Sequence, residues 1–179
     1  MSATLPARID CQRLVRQGAR LQGMLPGSRM PRLNEAVLSV GDVEVDLEFG
    51  IDAGRTRFIS GAVRTRVSMP CQRCLEPMEI DVDAEVRLGV VISESQIERL
   101  PSGFEPLLLE EELIDPAQLV EDELLLALPL VPRHELRDCR AERNVTAQGS
   151  DGAPAPSDDV AENKRPNPFA VLATLKDKH

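Results

Sequence analysis

The sequence predicts an α+β domain. An antiparallel β meander, either an open sheet or a partial barrel, packs against one main helix. Three observations predict it. Apolar and polar residues alternate with a period near two from Glu35 to Val91. One strong helix signal runs from Pro116 to Leu128. From Asn144 to Asn163 the chain is rich in Ala, Gly, Ser, Asp and Pro, a composition that buries too little apolar area to offset the entropy of ordering. The expected organisation is therefore a domain over 1–143, a disordered linker over 144–165 and a C-terminal docking tail over 166–179.

The N-terminal segment reads as irregular up to residue 33, with one short helix between Arg8 and Ala19. Gly18, Gly23, Pro26, Gly27 and Pro31 stop that helix from extending. The strands follow. Val43, Val45, Leu47 and Phe49 alternate with Glu44, Asp46 and Glu48, as one wet and one dry face require. Asp52 to Arg55 reads as a hairpin turn. A second strand starts at Phe58, with a kink or bulge at Ser60-Gly61, and continues through Val63, Thr65 and Val67. After a tight connection from Cys71 to Pro77, Met78, Ile80, Val82, Ala84, Val86, Leu88 and Val90 alternate with charged residues. The acidic faces of the outer strands would flank the arginines of the middle one. Ser93 to Leu100 reads as a short helix and Leu107 to Leu109 as an edge strand.

The main helix has a favourable start. Asp115 is a good N-cap, and Pro116 sits where its missing donor costs nothing. Leu119, Val120, Glu123, Leu124, Ala127 and Leu128 trace one face, which Leu125 and Leu126 widen. Pro129 and Pro132 end the helix. In the tail, Phe169, Val171, Leu172 and Leu175 follow the linker as an apolar docking segment, for its own domain in the first place or for a partner.

Composition bounds the function. The chain has 179 residues, 42% of them hydrophobic, which is enough for an ordinary core. It has four Phe but no Trp or Tyr, so an aromatic platform for stacking bases is not expected. The net charge of −9 repels phosphate backbones on average. Residues 1–32 depart from that average, with six arginines against the single acid Asp10. Arg13, Arg16 and Arg20 of this segment are candidate RNA contacts, while the acidic remainder would suit a basic partner. The N-terminus lacks the charged-then-apolar run of an export signal. The longest apolar stretch, Leu124 to Val131, falls far short of the roughly 20 residues of a bilayer span. A cytoplasmic protein without membrane association is expected.

The sharpest local feature is Cys71-Gln-Arg-Cys74. Two intervening residues allow both sulfurs to face one cation. His134 and Cys139 offer the other half of a Cys3His set, which would suit structural zinc. Two alternatives stay open: unligated thiols, and a redox pair, although a redox pair usually opens a helix after a strand. Cys11 has no partner at useful spacing. A phosphate-cradling glycine loop and a serine elbow are both missing, and only two histidines are present. No enzyme and no small-molecule substrate are expected.

Three segments together carry a resemblance. They are Cys71-Gln-Arg-Cys74, then Val120 to Pro132 (VEDELLLALPLVP) with His134 and Cys139 after it, then Pro166 to Lys176 (PNPFAVLATLK). In order, spacing and wording the chain resembles the bacterial YceD family of large ribosomal RNA subunit accumulation proteins. The resemblance implies a non-enzymatic role in the synthesis, processing or stability of 23S rRNA. It carries over no catalytic residues. Glu121, Glu123, Asn167 and Phe169 fall inside the shared segments as candidate partner contacts. The expected partner is a large-subunit precursor, a basic ribosomal protein or 23S rRNA. The Ala/Pro/Gly-rich insert departs from the family pattern. Direct RNA binding through the N-terminal arginines and a zinc- or redox-sensing regulator are the competing readings.

Overall fold

The computed structural model describes residues 4–140. The linker 144–165 and the tail 166–179, with Asn167 and Phe169, lie outside the described residues. In chain order the elements are β1 (Ile9–Asp10), α1 (Cys11–Gln17), β2 (Arg20–Leu25), α2 (Pro31–Ala36), β3 (Ser39–Val40), β4 (Val43–Ile51), β5 (Arg57–Pro70), β6 (Pro77–Val91), α3 (Glu94–Ile97), β7 (Glu105–Leu108), β8 (Leu113–Ile114) and α4 (Pro116–Ala127), with a 3-10 turn at Gly27–Arg29. The main sheet is open and runs β2-β4-β5-β6-β7, with β3 also paired to β5.

The β4-β5-β6 meander is antiparallel, as the alternation predicts. Two features of the sheet differ from the sequence reading. β7 pairs parallel to β6, so the sheet is mixed. The N-terminal segment is not irregular, because β2 pairs with β4 over six residues and forms the sheet edge. Its inward positions are Leu21, Gly23 and Leu25, so the glycine weakens an alternation that is present. Asp10 caps α1 by accepting from the Arg13 amide at 2.8 Å, and Gly18 ends it at φ 59.

One sheet face is dry. Val43, Val45, Leu47 and Phe49 meet Ile59, Val63 and Val67, then Val82, Ala84, Val86 and Leu88. Val15, Leu33, Leu119, Val120 and Leu124 from the helices join this core. Asp115 caps α4 through the Ala117 amide at 2.8 Å. The buried stripe of α4 is narrower than expected. Leu126 is 75% exposed, because the sheet covers only one side of the helix.

The opposite face is wet and charged. The register aligns Glu44, Arg64 and Asp83 across three strands. Arg64 reaches Asp83 at 2.9 Å, Arg66 reaches Asp81 at 2.6 Å, and Arg20 grips both oxygens of Asp46 at 2.6 and 2.8 Å. The Arg20 hydrogen bond holds the Asp46 carboxyl below the usual carboxylate range.

Gly61 kinks β5 without a register slip, since Ser60 and Ala62 still face Glu48 and Asp46. Its φ is 151, and a Cβ there would overlap the Asp46 carbonyl oxygen. The Gly61→Ala variant should lose about 2 kcal/mol or more in urea unfolding. A loss near zero would show that the kink relaxes freely.

Candidate metal centre

The centre forms where the β5–β6 hairpin meets the chain leaving α4. The Cys71 amide donates to the Glu76 carbonyl at 2.9 Å, and the Leu75 amide to the Cys71 carbonyl at 2.8 Å. Leu75 takes φ 61 to close this knuckle. Two residues between the cysteines thus turn both sulfurs to one side. Pro129 and Pro132 keep the chain after α4 from continuing the helix, and the Gln72 amide docks it through the Pro132 carbonyl at 2.8 Å. A turn from Glu135 then returns Cys139, whose amide donates to the Glu135 carbonyl at 3.1 Å.

The result brings Cys71, Cys74, His134 and Cys139 together, with their ligand atoms all within 4.8 Å of one another. Cys74 Sγ lies 3.3 Å from His134 Nδ1. Cys71 and Cys139 are fully buried, and the other two are half-buried. Burial raises the Cys71 thiol, but hydrogen bonds from the Cys74, His134 and Arg73 amides outweigh that and lower it to about 5. Cys74 shifts the other way. The Glu76 backbone lowers it, but burial and the neighbouring Cys71 and Cys139 sulfurs together raise it. Three cysteine sulfurs and one imidazole crowded in this way favour a shared cation.

The donor set fits zinc. Three sulfurs and one imidazole at the corners of a zinc tetrahedron stand about 3.8 Å apart or less, given Zn–S bonds of about 2.3 Å. The cluster is already nearly that compact. With four protein donors, no position stays open for substrate, so the arrangement suits a structural clip. Glu76 and Arg140 close the rim at 2.7 Å. The sequence signals this pair only through opposite charges beside the two half-sites.

The remaining candidates are placed as follows. Cys11 is fully buried away from the cluster, and burial, then Asp10, raises its thiol to about 11. Glu121 is 3% exposed; Oε1 accepts from the Leu33 amide and Oε2 from Arg32 Nε, both at 3.0 Å. It thus clamps α2 to α4, a role its place in a helix pattern does not reveal. Glu123 is half-buried, and burial, then Glu105 and Asp122, raises its carboxyl. Arg20 is held by Asp46, while Arg13 and Arg16 are exposed and make no ion pair among the described residues. None of the described helices is long and apolar enough to cross a membrane.

A family model described as "Large ribosomal RNA subunit accumulation protein YceD" matches residues 59–176, which include both halves of the Cys3His cluster. A relative from Haemophilus influenzae with that same description is 36% identical over 176 residues, covering 97% of each chain. No solved structure matches. Matched along nearly its whole length, the chain belongs to the YceD family of large ribosomal RNA subunit accumulation proteins.

Proposed function

We propose that this chain is a cytoplasmic, non-enzymatic biogenesis factor that supports 23S rRNA and assembly of the large ribosomal subunit. The observation that carries the reading is the end-to-end match to a relative named for large ribosomal RNA subunit accumulation. The geometry supports binding over catalysis. The wet sheet face presents seven acids, Glu44, Asp46, Glu48, Glu79, Asp81, Asp83 and Glu85, against four arginines. Such a face attracts a basic ribosomal protein or a precursor particle that carries one. The Cys3His group serves as a zinc clip that fixes the end of this sheet to the segment after α4.

The test is sedimentation of the tagged full chain from a cell lysate at moderate salt. The chain should travel with precursors of the large subunit and leave them as salt is raised. A chain that stays at the top of the gradient at every salt concentration contradicts the reading. Direct RNA contact through residues 1–32 is a second reading, and it rests on the exposed Arg13 and Arg16.

A further inference from the structure

Arg55 lies in the β4–β5 turn, Arg57 opens β5, and Arg99 follows α3. All three line one cavity of about 290 Å³, together with Gly54, Thr56 and Gln96. None of the three makes an ion pair among the described residues, and no acid lines the cavity. Two other cavities among the described residues differ. One sets Arg8 among Glu110, Glu111, Asp115 and Asp122, and another sets Arg16 among Asp10 and Glu110 to Glu112, so acids outnumber the arginine in each. In a chain of net charge −9, three exposed arginines gathered around one cavity without an acid form a local positive site that would attract an anion.

The walls are held in place. Asp52 closes the turn by accepting from the Arg55 amide at 3.0 Å through its carbonyl and from the Thr56 amide at 2.7 Å through its carboxylate. That carboxylate is therefore turned to the backbone of its own turn. On the other wall, Gln96 accepts from the Ile92 amide at 3.0 Å and its carbonyl from the Arg99 amide at 3.1 Å. Leu100 seats this segment against Gly89, where any Cβ would overlap it. Three guanidinium forks are thus carried by two short, internally bonded segments that are 42 residues apart in sequence.

We infer that this cavity binds the phosphodiester backbone of RNA. Guanidinium forks match phosphate oxygens bidentately, and a mostly polar cavity of this size suits a phosphate group better than a base. The acidic wet face would repel backbone elsewhere along the sheet and confine RNA to this end. The choice of RNA over another polyanion rests on the ribosomal reading above.

The experiment uses the full chain and a fluorescein-labelled single-stranded oligouridylate, followed by anisotropy over a series of salt concentrations. The variant is Arg55→Asn, Arg57→Gln and Arg99→Gln together. Asparagine is chosen because Arg55 has φ 65, which asparagine tolerates. The variant should bind about tenfold more weakly or worse, with a salt slope lower by about 2, and its melting temperature should be unchanged. An Arg13→Gln, Arg16→Gln variant should lose less than the cavity variant; an equal or larger loss assigns the contact to residues 1–32 and overturns the inference. Equal binding by the cavity variant overturns the inference, as does a native chain that does not bind RNA. Displacement of the RNA by inorganic phosphate or charge-matched polyglutamate as readily as by unlabelled RNA also overturns it. If the cavity variant still sediments with large-subunit precursors, the ribosomal reading stands whatever the RNA result.

Discussion

Cys71→Ser should abolish metal binding and cost the protein roughly 4 kcal/mol. The native chain should carry about one equivalent of zinc after purification, and the variant essentially none. The size of the loss follows from chain entropy. A zinc clip joins Cys74 to His134 across 60 residues. Closing a loop of that length in the unfolded chain corresponds to roughly 4 kcal/mol in the cross-link model. Metal analysis and urea unfolding read the two effects. A strong chelator added to the native chain should reproduce the variant's unfolding curve. Cys11→Ser should keep the metal, since Cys11 lies outside the cluster. Metal-free native protein of undiminished stability would remove the clip and favour plain thiols.

Glu121→Ala should have the second-largest effect, about 2–4 kcal/mol. The side chain is almost fully buried, and it satisfies the Leu33 amide, which is itself buried. Alanine leaves that donor without an acceptor and leaves a gap between α2 and α4. Arg32 is half-exposed and also reaches Asp122, so it loses less. Glu121→Gln keeps an oxygen for the Leu33 amide and should recover about half of the loss. Equal unfolding curves for all three proteins would mean that the clamp contributes nothing.

Much of the fold is legible because it obeys local rules. The alternation at Val43 to Phe49 and Met78 to Val90 encodes two strands, and Asp115-Pro116 encodes the start of α4. The two halves of the Cys3His set are also legible, since ligand spacing is a short-range property. What escaped was non-local. β2 contains Gly23, and its partner β4 lies some twenty residues further along the chain. The direction of β7 depends on which edge of β6 it meets, and no pattern within Glu105 to Leu108 records that. Glu121 reads as a surface charge until Leu33, 88 residues away, is placed beside it. The arginine cavity joins Arg55 and Arg57 to Arg99 only after the sheet has formed.

The account depends most on the tie to the large ribosomal subunit. The direct measurement is the ratio of 23S to 16S rRNA in cells from which this gene has been deleted, with and without the full chain restored. The account predicts a lowered ratio with accumulation of large-subunit precursors, and recovery when the chain is supplied. A ratio and precursor profile equal to those of undeleted cells would contradict it.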